Sequence, residues 1–199
     1  MNANPEELEL KDRLTLIETM VAEGRRTTES WGWTFVLWGV AYLGATAWAS
    51  LGRSNLACPV TMIAAAIATG VGIVRMKRGQ PETTLGRAIG SIWSAMGLSL
   101  FIVLMSLSLS GRYDTHVFVA VIGAMLGTAN AASSFILKWK MQFACAVVWL
   151  GLAVVACFGT DNQVGIAFLA ATFFCQIVFG VYAMICKSQR RRRLGAVDA

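Results

Sequence analysis

Charge is what this chain has least of. Of its 199 residues only 14% are Asp, Glu, Lys or Arg, while 56% are hydrophobic. A soluble domain carries about 25% charged residues, and without them it cannot cover a water-facing surface. The shortage argues against a soluble catalytic domain, a disordered chain and a coiled rod, and for a helical membrane protein. Histidine is nearly missing as well: His116 stands alone. Intramembrane hydrolases need a histidine or metal partner for their nucleophile, so one histidine leaves no catalytic constellation. The five cysteines, Cys58, Cys145, Cys157, Cys175 and Cys186, form no Cys-x-x-Cys pair and no metal-ligand spacing. They read as small apolar helix residues. The expectation is a non-enzymatic protein with no metal or cofactor.

The missing charge has a pattern. Asp, Glu, Lys and Arg are absent from 31–52, 54–74, 88–111, 115–137, 141–160 and 162–186. A helix needs about 20 residues to cross the ~30 Å hydrocarbon layer, and barrel strands show shorter, alternating segments instead. The fold class expected is therefore all-α, with six transmembrane helices forming a domain over 31–186. No Asp, Glu, Lys or Arg lies inside these stretches, which counts against a proton-driven pump or a voltage sensor. Residues 1–30 carry Glu6, Glu7, Glu9, Asp12, Glu18, Glu23 and Glu29, unlike the basic-then-apolar start of a signal peptide. The first span is expected to be its own uncleaved insertion signal.

The basic residues set the orientation. Fifteen of the 17 fall on one side: Lys11, Arg13, Arg25 and Arg26; Arg75, Lys77, Arg78 and Arg87; Lys138 and Lys140; and Lys187 with Arg190–Arg193. Only Arg53 and Arg112 face the other. Positive residues stay inside, so a multi-pass protein of the inner (plasma) membrane is expected, with both termini cytoplasmic. A reporter fused to the C-terminus should be active inside the cell; activity only outside would reverse the assignment. The outer loops near 52–55, 111–114 and 159–161 are short and rich in turn residues, so the spans should form three antiparallel hairpins. Cys58 and Cys157 then lie near the outer face, within conceivable pairing, and His116 begins its span there beside Asp114 as an interfacial residue.

The hairpins also look alike. Trp38, Trp93 and Trp149 are 55 and 56 residues apart, each near the inner end of an odd span, and the even spans end in Arg75-Met76-Lys77, Lys138-Trp139-Lys140 and Cys186-Lys187. Internal repeats occur in membrane transport folds; shared topology with basic inner ends produces the same likeness. The layout over 31–187 resembles the bacterial short-repeat membrane proteins typified by the acid-resistance membrane protein family. That family usually places a proline between the helices of each hairpin, and Pro59 is the residue here that matches. The segment Gly24-Arg25-Arg26 through Trp31-Gly32-Trp33 to Leu37-Trp38-Gly39 resembles uncharacterised bacterial six-helix membrane proteins. Both resemblances imply a six-helix membrane fold, and neither supplies a catalytic residue.

Inside the spans, Asn130 and Gln176 read as the only amides well within the core, with Thr69 at a similar depth. Such a polar ring can bind a small neutral ligand or line a pore; it can equally supply interhelical hydrogen bonds. Small residues recur at spacing four: Gly123, Gly127 and Ala131; Ala64, Ala68 and Gly72; Ser91, Ala95 and Ser99. In lipid such faces allow close helix contact, within one chain or between copies. Trp31, Trp33, Trp48 and Trp139 suit interfacial belts.

Two cytoplasmic segments complete the chain. In 1–30, Leu10, Leu14, Ile17 and Val21 alternate spacings of four and three, an amphipathic helix that lies along the inner loops or membrane surface, or self-associates. The basic tail 187–199 carries Lys187, Arg190, Arg191, Arg192 and Arg193. These anchor topology, grip anionic lipid headgroups, or meet the acidic N-terminal helix. The functional expectation is a scaffold, homo-oligomeric in form, or a regulatory or sensory membrane component. The alternative is a small channel or carrier for a neutral or hydrophobic solute. The bilayer is the expected partner, and nucleic acid is not.

Overall fold

In the computed structural model, residues 5–52, 57–77, 84–110 and 114–195 are described, and their regular structure is entirely helical. The elements in order are α1 (Pro5–Ser30), α2 (Gly32–Gly52), α3 (Ala57–Lys77), α4 (Thr84–Leu109), α5 (Thr115–Leu137), α6 (Lys140–Phe158), α7 (Asp161–Thr172), a π-helical turn (Phe173–Val178) and α8 (Phe179–Gly195). Five helical runs are long and apolar enough to cross a membrane: Glu9–Leu51, Thr84–Leu107, Thr115–Leu137, Lys140–Phe158 and Asp161–Arg190. The apolar part of α3, Pro59–Arg75, is shorter. Such a set is compatible with a multi-pass membrane protein.

Local chemistry explains the helix ends. Asp114 caps α5, its carboxylate accepting from the backbone N–H of His116 at 2.7 Å and Val117 at 3.2 Å, as an N-cap acid does. α5 stops where Lys138 turns into the left-handed region at φ 48°. Arg25 then closes that end from α1: its Nε donates to Leu137 O at 2.7 Å and its Nη2 donates to Lys138 O. A cation on the last carbonyls of a helix also opposes the negative end of its dipole. At the α6–α7 corner, Thr160 N–H donates to Gln163 Oε1 at 2.9 Å. His116 braces the same corner, its Nδ1 2.8 Å from Ala156 O and its Nε2 2.6 Å from Asp161 Oδ1. The interfacial position read from sequence thus becomes a tie between α5, α6 and α7.

α5 and α6 form the closest helix pair. Gly123 lets the chains touch: a Cβ there would sit 2.8 Å from Trp149 O and 2.9 Å from Ala153 N. Gly127 lies against Leu150 in the same way. The small-residue face of α5 therefore packs within the chain. A second close crossing joins α2 to the last helix, where Gly32 meets Gly180 O and Gly39 meets the side chains of Gln176 and Ile177. Gly72 of α3 lies against the ring of Trp33. The glycines and tryptophans of the Trp31–Gly39 motif are thus packing residues. Rings fill the spaces between: Phe35 meets Trp93 and Phe179 edge-on at 5.0 and 5.3 Å, and Tyr42 meets Phe168 at 6.0 Å.

Two helices run beyond the charge-free stretches. α4 starts at Thr84, so Arg87 is in its first turn; absence of charge marks an apolar stretch, not where the helix begins. The last helix continues to Gly195, so it carries on through the basic residues that follow Cys186. α1 is joined to α2 by the single residue Trp31, whose N–H bonds to Thr28 O at 3.0 Å and whose carbonyl accepts from Thr34 N–H at 2.9 Å. The C-terminal third of α1 packs on α4, α5 and α8. Over 9–20 the helix is exposed all round, Leu10, Leu14 and Ile17 included.

Candidate functional site

α3 rests on α2 and meets α4 only lightly. The wedge left between α2, α3 and α4 is a half-enclosed, mainly apolar cavity of about 460 Å³. Along α4 its wall runs from Gly86 to Met105, roughly 28 Å at helical rise. Phe35, Trp38, Trp93, Met62 and Met96 give the wall its apolar surface. Gly70 and Gly97 also line it, and a Cβ added at either would meet nothing within 4 Å. A methionine- and aromatic-lined cleft with few polar groups is the usual form of a small-molecule site.

Two of the three polar residues read from the sequence face the same cavity. Thr69 and Gln176 both line the cavity. Thr69 Oγ1 donates to Ala65 O at 2.8 Å and accepts from the Trp38 indole at 3.1 Å, which ties α3 to α2. Gln176, only 3% exposed, has no partner for Oε1 among the described residues. Asn130 is elsewhere, buried on α5, with its Nδ2 bonded to Leu126 O one turn back at 2.8 Å. That bond stays within its own helix, where the sequence suggested one between helices. Ala131, third in the small-residue series, is half-buried beside it.

The larger polar seam was not visible in the sequence. Gln142, in the first turn of α6, is fully buried. Among the described residues both ends of its amide lack hydrogen-bond partners, as do Trp149 Nε1 and Thr172 Oγ1. Cys175 Sγ lies 3.9 Å from Cys145 O on the same seam. Trp93 donates to Ser133 Oγ at 3.0 Å, as Trp38 does to Thr69. In each of these hairpins an odd-span tryptophan thus bonds to a hydroxyl on the next helix, while Trp149 has no such partner. The signal for Gln142 was its spacing: 142, 145, 149 and 152 fall on one face with buried Cys145 and Leu152.

Between α1 and α8, Arg190 Nη2 donates to Glu29 Oε1 at 3.1 Å. The pair joins α8 to α1, so this basic residue meets the acidic N-terminal helix within the chain. The Glu29 side chain is 7% exposed and that of Arg190 39%. Lys187 is half-buried, and Arg192 is exposed. The side chains of Arg191, Arg193 and Cys58 lie outside the described residues. Cys145, Cys157 and Cys175 are free thiols, as is Cys186. Among the described residues no three His, Cys, Asp or Glu side chains converge on a metal-sized site. The sequence matches no family model, no curated protein and no solved structure.

Proposed function

We propose that this chain is a six-span inner-membrane protein with cytoplasmic termini, and that it works without chemistry of its own by holding a hydrophobic solute between α2, α3 and α4. It is a solute-responsive regulatory component or a carrier. The cavity is the observation that carries the reading: it lies within one chain and has an apolar wall. The distribution of Lys and Arg supports the orientation, α3 supplies the sixth span, and the exposed basic end of α8 suits anionic headgroups. An oligomeric scaffold is the second reading. It draws on Ser91, Ala95 and Ser99, which are all exposed on α4, and on the uncovered stripe of α1.

Trp31, Trp38 and Trp93 on the wall provide the test. Protein in lipid nanodiscs titrated with 1-bromododecane should show saturable quenching of tryptophan fluorescence, since bromine quenches indole on contact. Gly97→Leu and Gly70→Leu each add a side chain on the wall whose Cβ strikes no neighbour. Each should weaken this quenching about tenfold, a loss of roughly 1.4 kcal/mol, while leaving helicity and melting temperature near wild type. Unchanged saturable quenching in both variants would overturn the reading.

A further inference from the structure

The solute reading leaves open what kind of molecule fits, and the hydrogen-bond inventory of the wall narrows it. The wall carries few polar groups; Ser94 is exposed on α4, and most of the more enclosed ones are already committed. Thr27 and Thr28 donate to Glu23 O and Gly24 O at 3.1 and 3.2 Å. Thr34 donates to Trp31 O, and Thr69 to Ala65 O. The indoles of Trp38 and Trp93 donate to Thr69 and Ser133. These side chains present mainly their apolar atoms to the cavity. Gln176 differs: its residue lines the cavity, is almost fully buried and has an unpartnered amide oxygen. A buried polar atom without a partner is costly, so a ligand that satisfies this carboxamide is favoured over one that cannot.

The backbone fixes where this amide stands. Gln176 lies in the π turn, where the N–H of Phe179 reaches both Gln176 O and Phe174 O. Such turns interrupt helices mostly as single insertions and are frequent at functional sites. α2 presses on it from the opposite side, since a Cβ on Gly39 would lie 2.8 Å from Gln176 Cβ. The residue is midway along the apolar run Asp161–Arg190, far from either end. No Asp, Glu, Lys or Arg is among the residues lining the cavity, and a charge there would be uncompensated in a low-dielectric site.

Resting on the solute reading above, we infer that the cavity selects an uncharged amphiphile: an apolar body with one hydroxyl that hydrogen-bonds the Gln176 carboxamide at mid-depth. A hydroxyl both donates and accepts, so it serves the amide whichever end is turned towards it. A phospholipid is the wrong ligand, because its charged headgroup belongs at the interface while Gln176 does not. A fatty acid is disfavoured in its ionised form for the same reason that the spans lack charge.

Three brominated probes of one chain length decide the matter in nanodiscs, compared at equal mole fraction in the lipid: 12-bromo-1-dodecanol, 1-bromododecane and 12-bromododecanoate. The alcohol should quench wall tryptophans with about tenfold higher apparent affinity than the alkane, and the carboxylate should be the weakest. Gln176→Leu should bring alcohol and alkane level while alkane quenching persists; Gln176→Asn should retain part of the preference. Equal affinities for alcohol and alkane in the wild-type protein would overturn the inference but not the solute reading. A preference that survives Gln176→Leu would also overturn it. Quenching by all three probes that is untouched by Gly97→Leu would remove the solute reading itself. The first comparison uses only wild-type protein, so it holds even if a Gln176 variant does not fold.

Discussion

Gly123→Leu is expected to disrupt the α5–α6 pair and, with it, the folded protein. The added side chain has no route of relief. Its Cβ would be placed 2.8 and 2.9 Å from backbone atoms of Trp149 and Ala153, and backbone moves only if the whole of α6 does. Overpacking a core against side chains costs about 1–3 kcal/mol; against a neighbouring helix backbone the loss should exceed about 3 kcal/mol. In lipid, where little hydrophobic drive holds helices together, such close contact is much of what joins them. Gly151→Leu is the control. That glycine is on α6 near the same level, and a Cβ there meets nothing within 4 Å. Thermal unfolding followed by size-exclusion should show loss of the monodisperse species for Gly123→Leu and a near-wild-type profile for Gly151→Leu. Equal behaviour of the two would mean that the α5–α6 contact does not sustain the bundle.

The ion pair between α1 and α8 should respond unequally to removal of its two halves. Arg190→Ala leaves the Glu29 carboxylate buried without a counter-charge, a change of about 3–5 kcal/mol when a pair is fully enclosed. Because Arg190 is 39% exposed, the expected loss is nearer the lower bound, about 3 kcal/mol. Glu29→Gln leaves an amide that still accepts from Arg190 and a guanidinium that reaches water, so it should cost under about 1 kcal/mol. The measurement is the melting temperature of both variants, with limited trypsin cleavage at Arg25 and Arg26 as a local readout. Arg190→Ala should expose those sites as α1 lifts from α8. Equal destabilisation by both would show that the pair is solvated.

How far the sequence could be read depends on what each signal measures. Lack of charge measures solvent, so it located the apolar helices to within a few residues. It failed where a helix outruns its apolar stretch, as at Thr84 and beyond Lys187. Spacing-four small residues measure permitted approach, and Gly123 and Gly127 indeed lie against α6. The same pattern on α4 leaves Ser91, Ala95 and Ser99 exposed, since small residues allow contact without requiring it. Depth along a helix gave Thr69 and Gln176 a common level but could not say which faces meet. Asn130 has that depth and points elsewhere. Gln142 stands in the first turn of α6 and is fully buried, because burial near a helix end is set by how the helices pack and not by distance along one of them. The cavity had no sequence signal at all, because it follows from α3 and α4 meeting only lightly.

One joint has a mechanical corollary. With only Trp31 separating α1 from α2, the two helices behave as a lever whose fulcrum is pinned by Glu29, Arg190 and Arg25. The outer arm, Pro5–Ser30, has 26 residues. At 1.5 Å per residue it is about 39 Å long, so a tilt of roughly 10° at the fulcrum swings its tip by about 7 Å. α2 forms one wall of the cavity it shares with α3 and α4. A displacement there too small to disturb the bundle would therefore be magnified at the far end of α1, where Leu10, Leu14 and Ile17 stand uncovered.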